Sequence, residues 1–158
     1  MKSRAKSQTS GFSLIEVTLA MGIVVFCLVA LMGLLIVGLN TNQASVSQSA
    51  ANAILSEVIS DLRSTPGTLA KTVQFNVSIP ANPVTAAPAP TVLYFTSDGQ
   101  YSPTPGAGYV YRLTLTFPPN GTSARTATFA DLLLTWPAAA LPAKALGSVE
   151  TFVALDRN

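Results

Sequence analysis

The distribution of apolar and polar positions divides the chain into three stretches. From Phe12 to Leu39 there are 28 residues, nearly all apolar, of which Glu16 alone is charged. After the polar run Asn40-Thr41-Asn42-Gln43 the pattern becomes one-sided. Val46, Ala50, Ile54, Val58 and Leu62 recur every fourth position with Ala51, Leu55 and Ile59 beside them, while Ser45, Ser49, Asn52, Ser56 and Arg63 fall elsewhere on the wheel. That spacing predicts an amphipathic helix with one buried stripe, ended by Pro66-Gly67. No proline interrupts residues 12–64, so one continuous helix about 80 Å long at 1.5 Å per residue is expected.

Beyond residue 66 the period shortens to two. Lys71–Ile79 alternates Val73, Phe75, Val77 and Ile79 with polar residues and reads as a half-buried strand. Residues 80–91 are rich in Pro and Ala without periodicity and read as a loop. Val92–Thr96 is a predicted strand followed by a Ser97-Asp98-Gly99 turn. Tyr109–Phe117 is another, the Pro118-Pro119-Asn120-Gly121 run turns the chain, Arg125–Trp136 returns it, and Val149–Leu155 closes the set. Strands joined by short turns suggest an antiparallel meander. The predicted fold class is α+β: a long N-terminal helix, membrane-spanning in its first half, packed against a small antiparallel β-sheet.

The apolar run is long enough to cross the ~30 Å hydrocarbon layer of a membrane. A cleaved secretory signal would have a core of roughly 7 to 15 residues followed by a small-residue cleavage site. This run is about twice as long and is followed by polar residues, so a retained span is expected. Lys2, Arg4 and Lys6 precede it, and no Lys or Arg follows until Arg63. The N-terminus is therefore expected in the cytoplasm and the remainder exported.

Composition narrows the chemistry. The chain is 49% hydrophobic and 10% charged, with net charge +2, against roughly 25% charged residues in ordinary soluble domains. Removing residues 1–11 takes three of the nine basic side chains and leaves six against seven acidic ones, a net of −1. No basic patch for a polyanion survives, so no nucleic-acid partner is expected. Cys27 is the single cysteine, so no intrachain disulfide can form; there is no histidine, which removes the commonest general base and metal ligand. Glu57 and Asp61, four apart, read as a solvated pair on one helix face, and Asp98 as a turn residue. No grouped oxygen ligands, phosphate-cradling loop or nucleophile–base pair can be nominated. No enzymatic activity, cofactor or metal is expected.

The junction Gly11-Phe12-Ser13-Leu14-Ile15-Glu16 resembles the type IV prepilin family, which includes the pseudopilins of type II secretion. In that family a membrane peptidase cuts after the glycine of a Gly-Phe-(Ser/Thr)-Leu-(Ile/Val)-Glu signature and the new terminal amine is methylated. The resemblance implies a pilin-like fold, a cut between Gly11 and Phe12, N-methylation of Phe12, and an assembly role for Glu16. That carboxylate would pair with the N-terminal amine of a neighbouring subunit. The implied organisation is a leader peptide at 1–11, a transmembrane and assembly helix at 12–39, an amphipathic extension at 40–65 and an exported β-sheet domain at 66–158. The implied function is a structural, minor subunit of a type IV pilus-like filament or a type II secretion-type pseudopilus. Its expected setting is the bacterial inner membrane, single-pass, with the C-terminal domain periplasmic. Its expected partners are that membrane, the prepilin peptidase and other pilin-like subunits met through their N-terminal helices.

Further readings stand beside this one. Ser13 and Glu16 also fit a Ser-x-x-Glu capping box, so helix initiation alone accounts for a carboxylate there. Gly33 falls where many pilins carry a helix-breaking proline, and with Gly22 and Gly38 it would allow close helix contact or local softening. The strand ending Leu134-Thr135-Trp136, followed by a loop and a last strand, resembles the end of minor pilins and pseudopilins of the PilV/GspI kind. The helix resembles that of the pilin-like cassette proteins of Verrucomicrobia. The competing function is a single-pass, membrane-anchored extracytoplasmic binding domain that does not polymerise.

Overall fold

A computed structural model describes residues 11, 13–122 and 127–156. It contains helix α1 (Leu14–Ser64), a five-stranded antiparallel sheet and one 3-10 turn (Pro142–Lys144). The strands are β1 (Thr91–Phe95), β2 (Tyr101–Ser102), β3 (Tyr111–Thr116), β4 (Thr128–Trp136) and β5 (Gly147–Leu155). The chain is thus α+β, as its periodicities predict. Two compact units meet within α1, between Ala44 and Ser45.

The first unit is helix alone. Its side chains from Leu14 to Leu39 are exposed on every face. The Thr18 and Thr41 hydroxyls donate to the carbonyls of Ile15 and Val37, both at 2.9 Å, which satisfies two polar groups inside the helix itself. The helix runs unbroken through Gly22, Gly33 and Gly38, and a Cβ at any of the three would meet nothing within 4 Å. Helical backbone continues past Gly33, where no proline removes a donor.

The second unit has its own core. Ala51, Ile54, Leu55, Val58 and Leu62 of α1 are buried, and Ala50 and Ile59 of the predicted stripe are partly buried against the core, whereas Val46 at its head is 61% exposed. The five buried residues share one cluster with Leu93 and Phe95 of β1, Leu113 and Leu115 of β3, and Leu132 and Leu134 of β4. Each fully buried leucine contributes about 1.5–3 kcal/mol of transfer free energy. α1 ends where the Ser64 and Thr65 hydroxyls both donate to the Asp61 carbonyl, at 3.1 and 2.7 Å, just before Pro66-Gly67.

The strand order is β2-β1-β3-β4-β5. β1, β3, β4 and β5 follow one another as a meander, while β2 folds back on the far side of β1. Register pairs Leu93 with Leu113 and Leu113 with Leu134, which stacks the apolar rows on one face. Gly99 takes φ 82° in the predicted turn, and its N–H donates to the Thr96 carbonyl at 3.2 Å. The predicted start of the return strand, at Arg125, lies outside the described residues; the described strand begins at Thr128.

One predicted strand is not a strand. Residues 71–79 form a compact loop closed by a single antiparallel bridge between Lys71 and Ser78. Asn76 adopts φ 52° within it. The apolar alternation still selects the inward residues, since Phe75, Val77 and Ile79 are buried, but Val73 is 81% exposed. The cause is competition for the backbone. The Asp61 carboxylate accepts from the N–H groups of Gln74 and Phe75 at 3.2 and 3.1 Å, and Thr72 Oγ1 accepts from Val77 N–H at 3.1 Å. Side-chain acceptors take the donors a sheet ladder would have used.

Candidate functional site

The candidate site is the opening of α1. Gly11 and Ser13 are exposed and precede the helix. Phe12, the expected methylated residue, and the expected leader from Met1 to Ser10 lie outside the described residues. The Ser13 carbonyl accepts from Glu16 N–H at 3.0 Å and from Val17 N–H at 3.2 Å, which starts the helical ladder. Glu16 therefore stands in the first turn, where the positive end of the helix dipole favours a negative charge.

The capping-box expectation is not met. Among the described residues neither the Ser13 hydroxyl nor the Glu16 carboxylate enters a hydrogen bond, so backbone bonds alone open the helix. Glu16 is exposed. It borders a shallow furrow of about 380 Å³ whose other lining residues are Val17, Ala20, Met21 and Val24. A carboxylate at the head of an otherwise apolar furrow combines one point charge with a surface that favours another apolar helix or lipid tails. Around it, Leu14, Ile15, Leu19 and Ile23 are exposed by 57% or more. An apolar surface of this extent marks an interaction or membrane site. α1 is the one described helix long and apolar enough to cross a membrane.

Among the described residues no three His, Cys, Asp or Glu side chains are grouped so that they could hold a metal ion. The solvated pair expected at Glu57 and Asp61 is split by the fold. Glu57 is exposed and accepts from the Gln74 side-chain amide, whereas Asp61 is 7% exposed and holds the 71–79 loop. Sequence periodicity could not reveal this, because the two backbone donors that fill the Asp61 carboxylate come from 13 and 14 residues away. Asp98 accepts from the Ser97 hydroxyl at 3.3 Å in its turn. Cys27 is an exposed free thiol on α1. Comparison with protein-family models, with curated proteins and with solved structures gave no match to this chain.

Proposed function

We propose that the chain is a structural, minor subunit of a type IV pilus-like filament or a type II secretion-type pseudopilus. Prepilin peptidase cuts it between Gly11 and Phe12, the Phe12 amine is methylated, and the subunit assembles through its N-terminal helix. The single observation that carries this reading is Glu16. It is a carboxylate with no hydrogen-bond partner among the described residues, on an exposed apolar helix, five positions after a glycine followed by phenylalanine. An unpaired ionisable group in such a span costs about 2.5–3.5 kcal/mol near the bilayer centre and less toward an edge, where the first turn of α1 would lie. A neighbour's terminal amine offsets that cost and sets the axial register between subunits.

In this reading the first half of α1 resides in the inner membrane before assembly, with the N-terminus cytoplasmic and the sheet domain periplasmic. The role is mechanical rather than catalytic. Its partners are the membrane, the peptidase and other pilin-like helices. N-terminal mass spectrometry of the mature protein tests the first step: a chain beginning at methylated Phe12 is expected. A mature chain beginning at Met1, or cut near residue 40, would refute the proposal. Assembly is tested separately by Glu16→Ala, which is expected to be processed normally yet to be missing from sheared filaments. A mutant that still assembles would remove the pairing role and leave the non-polymerising membrane anchor as the better reading.

A further inference from the structure

Asn-x-Ser/Thr, the triplet whose asparagine accepts N-linked sugar on exported chains, occurs twice: Asn76-Val77-Ser78 and Asn120-Gly121-Thr122. The fold treats the two asparagines in opposite ways. Asn120 is half-buried and its carboxamide is fully used. Its oxygen accepts from Val84 N–H at 2.7 Å, and its nitrogen donates to Asn82 Oδ1 and to the Ala127 carbonyl, at 2.9 and 2.7 Å. A sugar on that nitrogen replaces one of its two hydrogens and breaks one of those two bonds. Asn76 and Ser78 are both exposed, and among the described residues no hydrogen bond holds either side chain. Asn76 stands at φ 52°, a left-handed conformation that asparagine adopts more readily than most residues.

Once the domain has folded, the flanks of Asn76 are closed. Phe75 and Val77 are 3% and 1% exposed, and Val77 N–H donates to Thr72 Oγ1 at 3.1 Å. An enzyme cannot draw this triplet into a cleft without undoing that packing. The Phe75 ring lies against Phe95 and Tyr101, with centroids 5.7 and 5.0 Å away, and the core it shares extends to β3, β4 and β5. All of these sheet partners are C-terminal to the loop. A chain exported from its N-terminal end therefore presents Asn76 before the strands that cover Phe75 and Val77 have crossed. Asn120 has the reverse order, since its partners Asn82 and Val84 precede it and are already across when it emerges.

We propose that Asn76 is the site of an N-linked glycan, added during export before the sheet closes, and that Asn120 stays bare. The donor is an oligosaccharide carried on a lipid pyrophosphate. Asn76 Nδ2 attacks the anomeric carbon of that sugar. The bond from this carbon to the pyrophosphate oxygen breaks, its electron pair leaves with the lipid pyrophosphate, and one amide proton passes to a base of the transferase. Ser78 supplies the hydroxyl that the transferase reads at the third position of the triplet. In the folded product the sugar stands in solvent, because Asn76 is exposed. The loop closes beneath it with the bonds from Gln74 and Phe75 N–H to the Asp61 carboxylate intact. The inference rests on the export proposed above.

The test takes the full chain from the membranes of cells that make it and sequences its proteolytic peptides by mass spectrometry. The peptide containing Asn76 is expected to carry sugar on that residue in most molecules, and the peptide containing Asn120 none. Ser78→Ala should abolish the glycan and Ser78→Thr should keep it. Both variants should retain wild-type amide-exchange protection in β3 and β4, since the side chain at 78 is exposed. Asn76→Asp, which also tolerates the left-handed backbone, should lose the glycan as well. A bare Asn76 in the wild-type chain, a glycan retained in Ser78→Ala, or sugar on Asn120 overturns the proposal. The N-terminal peptide of the same digest separates the two readings. A bare Asn76 on a chain beginning at Phe12 overturns the glycan alone, whereas a bare Asn76 on a chain beginning at Met1 overturns the proposed processing as well.

Discussion

Asp61 and Glu57 lie one helical turn apart and carry the same functional group, yet their surroundings give them different work. Asp61 is buried and fills the hydrogen-bonding needs of two backbone N–H groups in the 71–79 loop. Asp61→Ala would leave both donors without an acceptor, and a loss of about 2–4 kcal/mol is expected in denaturant unfolding. Glu57→Ala, at an exposed position, is expected to change stability by less than about 0.5 kcal/mol. Equal effects of the two substitutions would show that the loop is held by something else. Gly147 is constrained by its neighbour rather than by its backbone: an added Cβ would lie 2.2 Å from Cζ2 of the Trp136 ring. Gly147→Ala must displace that ring, which packs edge-on against Tyr111 at 6.0 Å. A loss of about 1–3 kcal/mol in the same assay is expected. The Trp136 and Tyr111 positions were readable as strand residues. The contact with Gly147 was not, because it depends on the register that pairs Trp136 with Gly147.

At the scale of elements, α1 and the apolar rows of the sheet were legible because their periods are long and regular. The buried residues of β3, Tyr111, Leu113 and Leu115, are those the alternation selects. Their contribution is large: Leu113→Ala or Leu132→Ala, each fully buried, is expected to cost about 2–5 kcal/mol. Leu146→Ala, 87% exposed just before β5, should change stability by less than about 0.5 kcal/mol. Parallel unfolding curves of the three variants check the contrast. The Pro/Ala-rich loop from 80 to 91 shows the opposite case, with no period to read. Asn120 anchors it: its side chain accepts from Val84 N–H at 2.7 Å and donates to Asn82 Oδ1 and to the Ala127 carbonyl, at 2.9 and 2.7 Å, and its backbone N–H donates to the Val84 carbonyl at 3.0 Å. The partners Asn82 and Val84 lie more than 35 residues from Asn120, so neither loop conformation nor its anchor could be inferred from local composition.

For the whole molecule, the important division is between a helix whose surface is apolar and exposed and a unit that buries its own apolar surface. Residues 45–158 contain every member of the hydrophobic core. A chain beginning at Ser45 is therefore expected to be monomeric in detergent-free buffer and to unfold in one cooperative thermal transition. Aggregation, or a melt without a cooperative step, would show that the core depends on the preceding helix. The sequence by itself determined the apolar span, its amphipathic continuation, the faces of the main strands and the exceptional position of Glu16. Those features are encoded by the periodicity and charge of neighbouring residues, so they are independent of what the chain later meets. Only the tertiary structure decided that residues 71–79 close into a loop, that Asp61 is buried while Glu57 is not, that Glu16 is free of a capping bond, and that β5 is left as an open edge. Apart from Glu16, whose candidate capping partner Ser13 is three residues away, those outcomes depend on which distant donor, acceptor or strand the fold brings into contact, and hydrogen-bond partners separated by a dozen residues or more leave no local pattern.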